Sequence, residues 1–216
     1  LTKKYGILLI FDEVITGFRL SSGGAQKYYG ITPDLCTFAK AMGAGEKIAA
    51  VAGKKEIINI LDPSGTNNKY VFQSGTVNDG TSALSSTIAA LKIYKNLEKQ
   101  GKYNSINKKA LILKNGLMGI FNDLDLPCQI NQVGSMLQIF ISPRKIDFFK
   151  PDKRFSKIIE LFYLALINHN IILSLPTSNH IYLSFMHTNN DIKKILSVSK
   201  QVLNHYKFHD LKIDKS

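Results

Sequence analysis

Cysteine is scarce. Cys36 and Cys128 are the only two, far apart and without the spacing of a metal site or a redox pair. Both stand in apolar surroundings and read as buried free thiols, which fits a reducing, cytoplasmic compartment. No apolar run approaches the roughly 18 residues of a membrane helix. No membrane role is expected, and no secretory leader is visible. Acidic residues are few: 16 Asp+Glu against 28 Lys+Arg leave a formal charge of +12. A polyanion partner would account for that. The lysines are scattered among Asn and Ile, however, in no long run and with no interleaved aromatics, so a basic nucleic-acid-binding domain is the minor reading. There is no internal repeat and no low-complexity block. An initiator methionine is missing as well: Leu1 stands first, and the first dozen residues already read as a buried strand with its functional end. The expectation is a fragment whose remainder lies upstream.

What is present supports a packed fold. Apolar residues make up 44% of the chain, enough for a core and against disorder. Ile7-Leu8-Leu9-Ile10-Phe11 is a continuous apolar run closed by Asp12-Glu13, the pattern of a strand buried on both faces. In open α/β sheets, ligands collect at that carboxyl end. A Gly- and Tyr-rich stretch follows, then the turn Thr32-Pro33-Asp34 and a short apolar element, Leu35 to Phe38, that delivers Lys40. Ile48 to Ala52 is a third apolar element, and Lys54 to Leu61 suits a short helix. Asp62 to Lys69 is a polar loop. Thr81 to Gln100 reads as a long helix with Leu84, Ile88, Leu91 and Leu97 along one side, ended by Gly101 and bridging two domains. Helices are expected over Asn107–Leu124, Phe155–Asn168 and Asp191–Tyr206. Strands are expected around Gly134 and over Ile171–Leu175 and Ile181–Phe185. The tail from Phe208 reads as frayed. The division expected is 1–100 and 101–216, the latter a small α+β domain.

Three features carry chemistry: Asp12 after the strand, Lys40, and Gln73-Ser74-Gly75-Thr76 before the long helix. A pyridoxal phosphate site needs a lysine amine for a Schiff base and a carboxylate beside the pyridine nitrogen. It also needs hydroxyls or backbone N–H groups for the phosphate. Taken singly, each residue has an ordinary alternative: Asp12 as a turn cap, Lys40 as one surface lysine among many, Thr76 as an N-cap or loop hydroxyl. Gly43-Ala44-Gly45 after Lys40 would let backbone approach a ligand closely. Arg19 and Glu13 are candidates for touching substrate, Arg19 by a bidentate pair with a carboxylate or else in a structural ion pair. His180, His187, Tyr28 and Tyr29 read first as surface, cap or packing residues.

The order of these residues resembles a known family. Phe11-Asp12-Glu13-Val14-Ile15-Thr16-Gly17-Phe18-Arg19 is similar to the FDEV-x-TGFR signature of glutamate-1-semialdehyde aminomutases and their class III aminotransferase relatives. Gly23-Gly24-Ala25-Gln26, Tyr28-Tyr29-Gly30 and Thr32-Pro33-Asp34-Leu35 continue the match. Val133-Gly134-Ser135-Met136, and His187-Thr188 with Asp191-Ile192, extend it into the second half. The resemblance implies an α/β fold of the PLP-dependent transferase fold type I (aspartate aminotransferase-like): a partial large domain plus a C-terminal small α+β domain. It implies pyridoxal 5'-phosphate as cofactor, with Lys40 forming the Schiff base and Asp12 on the ring nitrogen. Val14 would lie on a ring face, and Thr76 would bind phosphate across the interface of a homodimer with a shared active site. Its partners would be a small-molecule amino donor and acceptor.

The match also departs from the pattern. No proline follows in Ala41–Lys47, and Asn78-Asp79-Gly80-Thr81 stands where the family tends to Gly-Asn-Pro. Ser178-Asn179-His180 lies where the aminomutase has a gating Glu. Aminomutase and aminotransferase readings therefore both stay open. The isolated fragment is expected to be inactive, and a non-catalytic remnant or split subunit needing a separate N-terminal half is the alternative.

Overall fold

The computed structural model describes residues 1–64, 70–76, 78–142, 145–146, 153–174 and 180–206, with the backbone alone for 153–156. They form two compact units, Leu1–Gly101 and Lys102–Ser216.

The first unit is built on a three-stranded sheet in the order β1 (Ile10–Asp12), β2 (Leu35–Phe38), β3 (Ala50–Gly53). β1 and β2 run parallel, with Asp12 opposite Thr37, and β3 returns antiparallel to β2. Asp34 ties the start of this sheet together. Its carboxylate accepts the Leu9 N–H at 2.7 Å and meets Lys54 Nζ at 2.6 Å. The Leu9 N–H first, and Lys54 second, hold the Asp34 carboxyl below the usual carboxylate range. Short helices α1 (Thr2–Tyr5), α2 (Gly24–Tyr29) and α3 (Lys55–Ile58) flank the strands, and α4 (Thr81–Lys99) closes the unit.

Two expectations for this unit are corrected. The run Ile7–Phe11 is not a strand buried on both faces: pairing begins at Ile10, and Ile7, Leu8 and Ile10 are 60%, 53% and 57% exposed. Burial on both faces needs a layer on each, and the described residues leave these three side chains without one. In α4 the packed side is Ala83, Thr87 and Ala90, while Leu84 and Ile88 face outward. Small residues let the helix approach the turn after β2, so the larger apolar positions are the uncovered ones.

The second unit covers its own core. α5 (Lys102–Asn122) runs along a meander of β4 (Cys128–Val133), β5 (Met136–Ile141) and β6 (His180–Tyr182), with α6 (Lys153–Asn168) and α7 (Asn189–His205) completing it. Gly134, at φ 58°, makes the hairpin turn that sets Val133 opposite Met136. The inward side chains of β4 and β5, Ile130, Leu137, Ile139 and Ile141, meet Leu113, Leu117 and Phe121 of α5 and Ile159 and Phe162 of α6 in one core. Phe121 and Phe162 pack edge to face at 5.3 Å. The Thr188 hydroxyl accepts the Asp191 N–H, and the Asp191 carboxylate accepts from the Thr188 N–H, so α7 opens on a capping box. No strand forms over 171–174; Leu175, the remaining end of that expected strand, lies outside the described residues, as do Ser178, Asn179 and the tail from Phe208. Among the described residues, no helix is long and apolar enough to cross a membrane.

Candidate active site

The carboxyl ends of β1 and β2 lie side by side because these two strands are parallel. Asp12 is the last residue of β1. Its Oδ1 accepts two bonds, from the Val14 N–H and from the Thr37 hydroxyl, each 3.0 Å long. Its Oδ2 has no hydrogen-bond partner among the described residues, and the side chain is exposed. The carboxylate is thus aimed by the backbone on one side and by the neighbouring strand on the other. One oxygen is left to meet a donor from outside.

Lys40 begins a single turn of tight helix, Lys40–Gly43, just past β2. Its φ is 46°, in the left-handed region that a Cβ-bearing residue rarely adopts, and Ala39 before it is fully extended. The chain therefore bends sharply at Lys40 and points an exposed side chain outward while Met42 and Gly43 are buried. Gly43 is required there: an added Cβ would stand 2.8 Å from the Ile48 side chain. Lys40 has no ion pair among the described residues.

Glu13 behaves differently from its neighbour. It is 1% exposed, and its carboxylate accepts the N–H groups of Ala25 (2.6 Å) and Gln26 (3.0 Å) and the Thr16 hydroxyl (2.9 Å). Its backbone N–H extends the ladder to Thr37 O. Gly24, at φ 68°, is the only residue that fits against it, since a Cβ there would overlap the carboxylate. This buried carboxylate ties the strand end to α2 and has no face left for a substrate. Arg19 sits in the turn beyond Gly17, close enough to Tyr94 to act on its hydroxyl.

A cavity of about 1070 Å³ opens beside this edge, walled by Val14, Thr37, Phe38, Lys47–Val51, Ile57, Leu61, Gln73, Asn78–Gly80, Ala83 and Leu84 among others. Val14 is in its wall, and Asp12 touches it through Thr37. Lys40 and Thr76 are not in the wall. Thr76 lies exposed in the loop before α4, and the helix is capped by Gly80, not by Thr76. In the second unit, His187 Nδ1 accepts the Ser184 N–H and its carbonyl accepts from Lys109, while His180 stacks on Tyr182. Tyr28 and Tyr29 pack edge to face.

Sequence reasoning missed Thr37 and the part Glu13 plays. The Thr37 signal is readable: a hydroxyl one residue before the end of an apolar strand, in parallel register with an acid.

A family model described as Aminotransferase class-III matches residues 1–199. Glutamate-1-semialdehyde 2,1-aminomutase of Desulfotalea psychrophila is 36% identical over 197 residues, which are 91% of this chain and 44% of that protein. An omega-transaminase from Sphaerobacter thermophilus shares the fold at a TM-score of 0.82 and 24% identity, over 95% of this chain and 46% of its own. A structure described as a transaminase with PLP bound shares it at 0.79 and 21%, over 94% and 45%. The chain spans less than half the length of the relatives it matches.

Proposed function

The chain belongs to the class-III aminotransferase family, and from that premise we propose that it is the lysine-bearing part of a pyridoxal phosphate enzyme that moves an amino group between small molecules. Residues 1–100 would be the C-terminal part of the cofactor-binding large domain, and 101–216 the small domain. The observation that carries this reading is the register of Asp12 with Thr37 at the carboxyl ends of two adjacent parallel strands, with the sharp turn at Lys40 three residues beyond Thr37.

The donor set fits the cofactor. Asp12 keeps one carboxylate oxygen free for the N–H of a pyridinium ring, and its other oxygen is fixed by Thr37 and Val14. Val14, in the cavity wall, offers an apolar surface to one ring face. Lys40 supplies an amine on a bend that carries it clear of the protein surface. When bound, the cofactor supplies an electron sink for the carbon that carries the amino group. Asp12 holds a proton at the ring nitrogen, and the Lys40 amine is both the attachment point and the base that moves a proton at the substrate carbon. Thr76 would reach a phosphate in a second copy, which makes a homodimer part of the reading. Arg19 is the remaining candidate for a substrate carboxylate. Aminomutase and aminotransferase reactions use the same residues, and the curated relatives favour the former.

Because the chain spans under half of those relatives, amino transfer is expected only when a polypeptide covering the rest is present, either in the same chain or as a separate subunit. A cytoplasmic setting is part of the same proposal.

The test is reductive trapping. The chain, combined with the amino-terminal part of the Desulfotalea psychrophila relative, is incubated with pyridoxal phosphate, reduced with borohydride, digested and mapped by mass. Label concentrated on Lys40 and absent from that peptide in Lys40→Ala is the expected result. Label spread evenly over the lysines would refute the assignment.

A further inference from the structure

We infer that Tyr94 and Ser86 of α4 are positioning residues for Lys40, holding through their hydroxyls the turn from which it projects. This rests on the reading of Lys40 as the cofactor's lysine.

A left-handed bend at a lysine is unfavourable on its own and persists only where its surroundings hold it. Within the turn the holding bonds are local: Met42 N–H to Ala39 O at 3.0 Å, Ala44 N–H to Ala41 O at 3.3 Å, and Glu46 N–H to Gly43 O at 3.1 Å. Ala44 is itself left-handed, at φ 50°. The segment thus has two strained residues and only short-range bonds of its own. The added restraint comes from far along the chain. The Tyr94 hydroxyl donates to Ala41 O at 2.8 Å, and the Ser86 hydroxyl donates to Gly43 O at 2.8 Å. Alternate carbonyls of the turn are therefore gripped by one rigid helix.

The helix is built for that grip. Ser86, Ala90 and Tyr94 recur at every fourth residue and so share one face. Ala90, between the two donors, is 4% exposed and small enough to let the turn lie against the helix. The Tyr94 ring is fixed in turn. It stacks on Phe18 at 5.9 Å and 15°, and Phe18 packs on Phe38, the last residue of β2, at 5.4 Å. Burial pushes the Tyr94 hydroxyl up, so it stays a donor through the neutral range. Strand end, ring stack, helix and turn form a closed loop of contacts with Lys40 on its outer side. Displacing a reacting amine by a fraction of an ångström is enough to slow its chemistry.

The variants separate the grip from simple packing. Tyr94→Phe keeps the ring stack and deletes the hydroxyl; Ser86→Ala deletes the other; Ser86→Thr retains a hydroxyl and serves as the rescue. Two quantities are read on the 216-residue chain combined with the amino-terminal part of the Desulfotalea psychrophila relative: amide hydrogen exchange of 40–46 against 102–122, and the share of trapped pyridoxal phosphate on Lys40 against the exposed Lys200. The expected result for Tyr94→Phe and Ser86→Ala is exchange faster by roughly fivefold in 40–46 only, the scale of one lost hydrogen bond. A severalfold fall in Lys40 labelling should accompany it, with both readouts near wild type in Ser86→Thr. Unchanged exchange, acceleration spread across 1–101, or faster exchange with Lys40 labelling intact would each overturn the positioning role. If the wild-type chain labels Lys40 no more than Lys200, the cofactor reading fails and the positioning claim with it. Persistent selective labelling in Tyr94→Phe would sink the clamp alone.

Discussion

The two units of this chain treat apolar surface in opposite ways. The second packs α5, α6, α7 and its sheet around side chains that are almost wholly hidden, with Leu113, Phe121, Ile159 and Phe162 each at 0% exposure. The first buries Leu20, Ala25, Cys36, Met42, Ala83 and Ala90, and leaves Ile7, Leu8, Ile10, Val51, Phe72, Ile88 and Ile93 more than half exposed. Hydrophobic burial is the main favourable term in folding, so the second unit has the means to stand alone. The first has strands and a helix whose apolar faces await cover. The proposed chemistry nevertheless sits on the first. Its site is held by hydrogen bonds at Asp12, Glu13 and the Lys40 turn, while its apolar faces stay open.

The contrast is sharpest for core truncation. Phe121→Ala should cost about 3–5 kcal/mol in urea unfolding of the second unit, whereas Ile10→Ala should change stability by no more than about 0.5 kcal/mol. A large loss at Ile10 would mean that its strand is covered in solution and would break the comparison. Next in size is Glu13→Ala. It strands the Ala25 and Gln26 N–H groups around a buried site and should cost about 1–3 kcal/mol, seen as faster exchange confined to the first unit. Loss of protection in the second unit as well would show that the two do not unfold separately.

A smaller effect tests the second unit's helix start. Thr188→Ala should destabilise it by about 1 kcal/mol. The Thr188 N–H, then its hydroxyl, hold the Asp191 carboxyl below the usual aspartate range. A lowered carboxyl contributes stability that is complete above its unfolded pKa of about 3.9 and lost as pH falls through the lower folded value. Acid titration of Thr188→Ala should therefore lose part of the wild-type acid sensitivity; an unchanged profile would remove the cap from the account. Smallest is the effect at Cys128, which is half-buried where the sequence suggests a buried thiol; desolvation pushes that thiol up to about 12. It should alkylate more slowly at neutral pH in the native chain than after the second unit is unfolded in urea, and equal rates would contradict that desolvation.

Much of this was legible in the sequence. Leu35–Phe38 as a strand, the long helix before Gly101 and the Gly134 hairpin follow from apolar runs and turn residues. The candidate set Asp12, Val14, Lys40 and Thr76 came from a motif whose order is specific although its members are not. What sequence could not supply was set by tertiary neighbours. An all-apolar run implies two covered faces, yet the covering layers are not among these elements, so Ile7, Leu8 and Ile10 face outward. Apolar spacing in α4 pointed to Leu84 and Ile88, but close approach of a turn selected Ala83, Thr87 and Ala90 instead. Glu13 and Asp12 are adjacent acids with opposite fates, one buried under α2 and one held open. Only the fold distinguishes them.

The most direct test of the central claim is a visible absorption titration with pyridoxal phosphate. It is run on this chain combined with the amino-terminal part of the Desulfotalea psychrophila relative, and on its Lys40→Ala counterpart. A saturable visible band in the first and none in the second is the predicted result. A band that survives the loss of Lys40, or its absence from both, would contradict the assignment of Lys40 as the cofactor's lysine.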